Sequence, residues 1–153
     1  MIDSLPYAIS GFYDPKIGHP PRIDESQFKR WLFPVCRTLN YNIVSKIKDN
    51  SFSNYFYIDV ANYAEKLNVL CNKHYPYIAF TSYQEVHFMP RDFVDVDDLT
   101  DELRKNPEIV ILSSSELNQV SHDSILFSQP KIVQSELVFW GNTLGKIIFN
   151  DFD

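Results

Sequence analysis

Between residues 28 and 39 the apolar side chains Phe28, Trp31, Leu32, Val35, Cys36 and Leu39 recur at i, i+3, i+4, i+7, i+8 and i+11. That spacing puts all six on one stripe of an α-helix, and such a stripe has to be buried against another layer. Asp24 and Gln27 precede it at the spacing of a capping box. Two segments rich in β-branched and aromatic residues follow at once, 41–48 (YNIVSKIK) and 54–59 (NYFYID), joined by a turn over 49–53. They read as paired strands. Pro34 lies inside the helical stripe and predicts a kink there or a break into two short helices.

The same reading extends along the chain. Residues 1–22 hold Pro6, Pro15, Pro20 and Pro21 with two of the four glycines, which predicts an extended, turn-rich arm that packs down through Tyr7, Phe12 and Tyr13. Asn62 and Glu65 form a second cap pair, and Tyr63, Ala64, Leu67, Cys71 and His74 share a helical face that Tyr75-Pro76 ends. Strands are expected at 77–83 (YIAFTSY) and 85–89 (EVHFM), a helix at 95–105, and a short strand at 108–112 (EIVIL). Residues 113–128 are ambiguous, with one short helix around 116–120. Residues 132–139 read as a last strand, and Thr143 caps a terminal helix that turns Leu144, Ile147, Ile148 and Phe152 inward. About four helices alternating with strands predict one α/β or α+β domain over residues 1–153, built on a mixed sheet.

Composition narrows the chemistry. Four glycines in 153 residues cannot assemble G-x-G-x-x-G or G-x-x-x-x-G-K-[ST], so glycine-rich phosphate cradles are absent. Neither G-x-S-x-G, H-E-x-x-H nor C-x-x-C occurs. Cys36 and Cys71 are 35 positions apart on apolar faces and read as buried free thiols, not a disulfide framework. The first residues lack the basic and apolar regions of a signal peptide. No run approaches the ~20 apolar residues of a membrane span. A cytoplasmic location, with no membrane association, is expected.

Charge is unevenly spread. Residues 1–91 carry eight acids and ten Lys or Arg, whereas residues 92–153 carry twelve acids and four bases, for a net charge of −6. An acidic chain is a poor non-specific binder of nucleic acid. Six acids crowd one stretch without a base: Asp92, Asp95, Asp97, Asp98, Asp101 and Glu102. Acids at a helix N-terminus complement its dipole, with Arg104 and Lys105 completing the pattern at the far end. Six exceed what dipole complementarity needs, so the run is also read as a docking face for a basic partner. A divalent-metal loop is a third reading, although the glycine of D-x-[DN]-x-[DN]-G is missing.

Glu85 and His87, two apart on an expected strand, share a face, and Asp92 follows shortly after. A carboxylate beside an imidazole can act as an acid/base pair or as metal ligands. His74 is assigned a structural place at a helix end, and His19 and His122 fall in loops. The nine tyrosines concentrate between 55 and 83. On alternating strand positions they cannot all face inward, so Tyr55, Tyr57 and Tyr83 are expected at the surface as contact residues of a protein interface.

The C-terminus, Phe139-Trp140 followed by Asn142-Thr143-Leu144-Gly145-Lys146-Ile147-Ile148-Phe149-Asn150-Asp151-Phe152-Asp153, resembles the closing pattern of small bacterial immunity proteins. These are the cognate inhibitors of polymorphic and contact-dependent growth inhibition toxins. The resemblance implies a cytoplasmic protein without catalytic activity or cofactor that binds and blocks one toxin domain, often a nuclease. It transfers no inhibitory residues. Two other functions compete with it. One is a phage or plasmid counter-defence protein whose acidic face mimics nucleic acid. The other is a small metal-dependent or acid/base enzyme around Glu85 and His87.

Overall fold

The computed structural model describes residues 2, 4–85, 90, 92–121, 123–140 and 143–151, with only the backbone of Trp140. Helix α1 (Glu25–Leu39) opens with the expected box: Asp24 accepts from the Gln27 N–H and the Gln27 side chain accepts from the Asp24 N–H. It closes on Asn40 in the left-handed conformation, φ 60° and ψ 38°. The helix continues through Pro34 without breaking into two, because Pro34 lies on the exposed side, where the lost backbone bond and the ring meet solvent and not the core.

Strands β1 (Asn42–Ile43), β2 (Tyr55–Ala61), β3 (Lys66–Asn72), β4 (Tyr77–Ser82) and β5 (Val110–Ile111) form a sheet in the order β1-β2-β3-β4-β5. The first four are antiparallel neighbours; β5 runs parallel to β4. The fold is α+β with a mixed sheet. The expected first hairpin forms, but its pairing is interrupted between β1 and the Lys48–Tyr57 bridge. There the Asp59 N–H donates to the Ser45 hydroxyl at 2.9 Å.

Residues 62–74, expected as a helix, form instead the tip of a hairpin and strand β3. Asn62 Oδ1 accepts from the Ala64 and Glu65 N–H groups at 2.9 Å, and the Asn62 N–H donates to the Glu65 carbonyl at 3.0 Å. An Asx turn and a helix N-cap use the same side-chain acceptor, so the cue was right and the continuation wrong. Seven paired residues on β2 outweigh the local helical pattern.

Helix α2 (Asp97–Leu103) sits between β4 and β5, within the expected span. The ambiguous region holds two short helices, α3 (Ser114–Leu117) and α4 (Asp123–Phe127). The expected last strand is helix α5 (Lys131–Trp140), whose Val133 and Leu137 are buried one turn apart. Pro130 just before it favours a helix start, and the apolar residues of this segment come in adjacent groups, not in alternation. Thr143 caps α6 (Leu144–Ile148), with its hydroxyl accepting from the Lys146 N–H at 3.2 Å. Phe152, His122 and the segment expected as a strand at 85–89, beyond Glu85, lie outside the described residues.

Both faces of the sheet are covered. Phe28, Leu32 and Cys36 of α1 and Leu99 and Leu103 of α2 pack against Phe56, Ile58, Val60, Val69, Cys71, Ile78 and Phe80. On the other face Leu5 and Ile9 of the arm, Leu117, Ile125, Val133, Leu137, Ile147, Ile148 and Phe149 pack against Tyr55, Tyr57, Leu70 and Ala79. Alternate residues of β2 therefore enter two different cores. The arm contains turns, and it is held down by Gln129: the Ala8 N–H donates to Gln129 Oε1 at 2.8 Å, and Gln129 Nε2 donates to the Leu5 and Pro6 carbonyls. Both cysteines are free and buried. No helix of the described residues is long and apolar enough to cross a membrane.

Candidate functional site

The acidic run begins at Asp92, whose carbonyl accepts from the Ser82 N–H at the end of β4 at 3.0 Å, and continues through α2. Leu99 and Leu103 lock α2 onto the core, which fixes the helix so that Asp97, Asp98 and Asp101 face solvent. Asp92 and Asp95 on the approach are exposed, and Glu102 is half-buried. Three of the six carboxylates are occupied. Asp95 accepts from the Ser114 N–H and hydroxyl at 2.8 and 2.9 Å, tying α2's approach to α3. Asp98 accepts from the Tyr41 hydroxyl at 3.0 and 3.1 Å. Glu102 pairs with Lys105 at 2.8 Å. Asp92, Asp97 and Asp101 have no side-chain partner among the described residues. The run thus divides into two acids that tie α2 and its approach to other elements, one that pairs locally with Lys105, and three that face solvent uncompensated. Among the described residues no group of three or more His, Cys, Asp or Glu could hold a metal ion.

The tyrosines do not join this face. Tyr55 is 0% exposed and Tyr57 5%, which corrects the expectation that they are surface contacts. That expectation assumed a sheet covered on one side; here the second face is covered by the arm and the C-terminal helices. Tyr83 is half-buried with the Lys66 ammonium 3.9 Å from its ring centroid, so its face is already used. Large apolar side chains that do reach solvent lie elsewhere; among them are Ile17 of the arm, Val44 and Phe52 before β2, Tyr63 at the β2–β3 tip, Val120, and Phe127, Ile132, Val138 and Phe139 on α4 and α5. Glu85 is exposed, and His87 lies outside the described residues.

A second region escaped the sequence reading. The arm, the 49–54 turn and the end of β3 border an open cleft of about 660 Å³ lined by Tyr13, His19, Pro20, Arg22, Asp49 and His74, among others. Lys73, 4% exposed, also lines it. Its ammonium meets Asp49 at 2.6 Å and the Asn50 carbonyl at 2.8 Å, so its charge is compensated within the wall. The Arg22 guanidinium has no hydrogen-bond or ion-pair partner among the described residues. His74 Nδ1 lies 3.0 Å from the Pro21 carbonyl, an acceptor, which assigns the ring proton to Nδ1. Burial pushes the His74 pKa down; the Pro21 bond opposes that, and the charges of Arg22 and Lys73 add to it. The ring is neutral near neutral pH. The His19 ring lies against Tyr13 with centroids 4.4 Å apart and the ring planes tilted by 42°. Arg22 and His74 are 52 positions apart, and no local pattern connects them.

No family model, curated protein or solved structure matches the chain.

Proposed function

We propose that this chain is an immunity protein: a cytoplasmic, non-catalytic inhibitor that binds one basic toxin domain and covers its active site with the α2 face. The observation that carries this reading is the trio Asp92, Asp97 and Asp101, exposed and uncompensated, with Asp97 and Asp101 on a helix whose inner side is anchored by Leu99 and Leu103 and Asp92 on the approach to it. Uncompensated charge of one sign on a rigid element speeds encounter with the opposite sign, and its orientation is fixed before binding. A nuclease holds phosphate with Lys, Arg or His, and burying such cations favours a carboxylate partner. The C-terminal resemblance supplies the class of partner.

The test is a titration against the toxin domain encoded beside its gene, reading protection of nucleic acid from cleavage. Full protection at one equivalent, lost on Asp97→Lys with Asp101→Lys in a variant that keeps its circular dichroism, supports the proposal. A neighbouring toxin that stays active in excess of the protein removes it.

A further inference from the structure

The geometry points to a second binding site, in the cleft between the arm and the β2–β3 ends, for a small organic oxyanion whose phosphate or carboxylate group is held by Arg22. It uses none of the acidic-face residues and stands independently of the inhibitor reading. The cleft, about 660 Å³, falls in the size range of small-molecule sites.

The charge of its wall favours an anion. Asp49 is the one carboxylate among the described lining residues, and Lys73 neutralises it at 2.6 Å. Arg22 remains as the uncompensated cation, with a planar fork of donors that fits a carboxylate or phosphate through two parallel hydrogen bonds. The rings of Tyr13 and His19, in contact and tilted 42° to each other, and the Pro20 ring provide ring surface for the organic part of the ligand.

His74 adds a proton to this chemistry. The ring sees the positive charges of Arg22 and Lys73, as well as its own burial, and both disfavour the imidazolium. An anion on Arg22 removes part of that repulsion and makes protonation of Nε2 easier. Binding is therefore accompanied by proton uptake and tightens as pH falls toward the range in which histidine titrates. Asp49, Lys73, Arg22, Tyr13 and His19 are the other titratable or charged groups of the described lining.

The experiment follows the histidine ring resonances of the full chain by NMR while inorganic phosphate, phenyl phosphate or benzoate is added. The expected result is a saturable displacement of the His74 signals and an upward shift of its titration midpoint with at least one probe. Arg22→Gln should weaken that binding by about tenfold or more. Lys16→Gln, which removes an exposed cation outside the cleft, should leave it unchanged. Preference for phenyl phosphate or for benzoate identifies the oxyanion. Displacement that never saturates with any probe overturns the proposal, as does a folded Arg22→Gln that binds like the parent, or a Lys16→Gln that loses as much.

Discussion

Asn54 and Asn150 bind each other's backbone: the Asn150 N–H donates to Asn54 Oδ1 at 2.7 Å, and the Asn54 N–H donates to the Asn150 carbonyl at 3.1 Å. The Asn54 carboxamide also donates to the Ile9 and Ile148 carbonyls at 3.0 and 2.9 Å, and Asn72 donates to the same two carbonyls at 2.9 and 2.7 Å. Asp151 accepts from Ser53 and, at 2.9 Å, from Tyr55. The arm, the start of β2, the end of β3 and the C-terminus are thus joined by one buried polar network. Asn150 and Asp151, which belong to the C-terminal segment that carries the resemblance, are part of it, and the neighbouring Phe149 packs edge-on against Tyr55.

Truncating Asn54 to Ala leaves the buried Asn150 N–H without its acceptor, while the Ile9 and Ile148 carbonyls keep Asn72. An unsatisfied buried donor costs about 1–3 kcal/mol and the lost bonds add to it, so a loss of about 2–4 kcal/mol is expected in urea unfolding. A loss below about 1 kcal/mol would mean that the network is not a unit.

Gly145→Ala should destabilise the fold even though alanine is the better helix former by about 1 kcal/mol. A Cβ on Gly145 would lie 2.5 Å from Phe93 Cε2 and 3.0 Å from the Leu117 carbonyl oxygen. The ring can shift, but the backbone oxygen belongs to α3. Overpacking of this kind costs about 1–3 kcal/mol. A melting temperature at or above that of the parent would show that α6 has room to move.

The two kinds of acid on the α2 face can be separated. Asp98→Ala removes the acceptor of the Tyr41 hydroxyl and should cost about 1 kcal/mol of stability. Asp97→Ala should leave stability within about 0.5 kcal/mol. On the proposed partner the order reverses in kinetics: losing Asp97 slows association at low salt, and the difference fades as salt screens the charge. An association rate insensitive to ionic strength argues against electrostatic docking.

Alkaline pH should unfold this protein early. Burial pushes the Cys36 thiol from its ordinary 9.0 up to about 11, and raises that of Cys71 as well. Burial, followed by the Asp98 hydrogen bond for Tyr41 and the Asp151 charge for Tyr55, raises both phenols above their ordinary 10.0. Above pH 9.0 the unfolded chain begins to lose protons that the folded chain keeps. The unfolded state then binds fewer protons, and stability falls as pH rises. Chemical denaturation at a series of pH values should show the midpoint dropping through this window. On the acid side His74, depressed below its ordinary 6.5, makes stability fall as pH drops below that value.

What the sequence determined by itself is what a few neighbouring residues can complete. The Asp24–Gln27 box, the stripe of α1 and the Thr143 cap close their contacts within one or two helical turns, so their pattern suffices. The crowded acids between Asp92 and Glu102 were legible as a largely exposed face because so many like charges are too costly to bury. Tertiary structure decided the rest. Residues 66–72 became strand β3 because β2 lay ready to pair with them, and the same Asn62 acceptor would have capped a helix had that partner been absent. Tyr55 and Tyr57 are core residues only because the arm and α3–α6 cover the second face of the sheet. Which acids of the run are occupied depends on Tyr41 and Ser114, distant in sequence. The cleft joins Arg22 to His74 through chain reversals that no local spacing encodes, since two side chains far apart in sequence become one site only after burial has set the path between them.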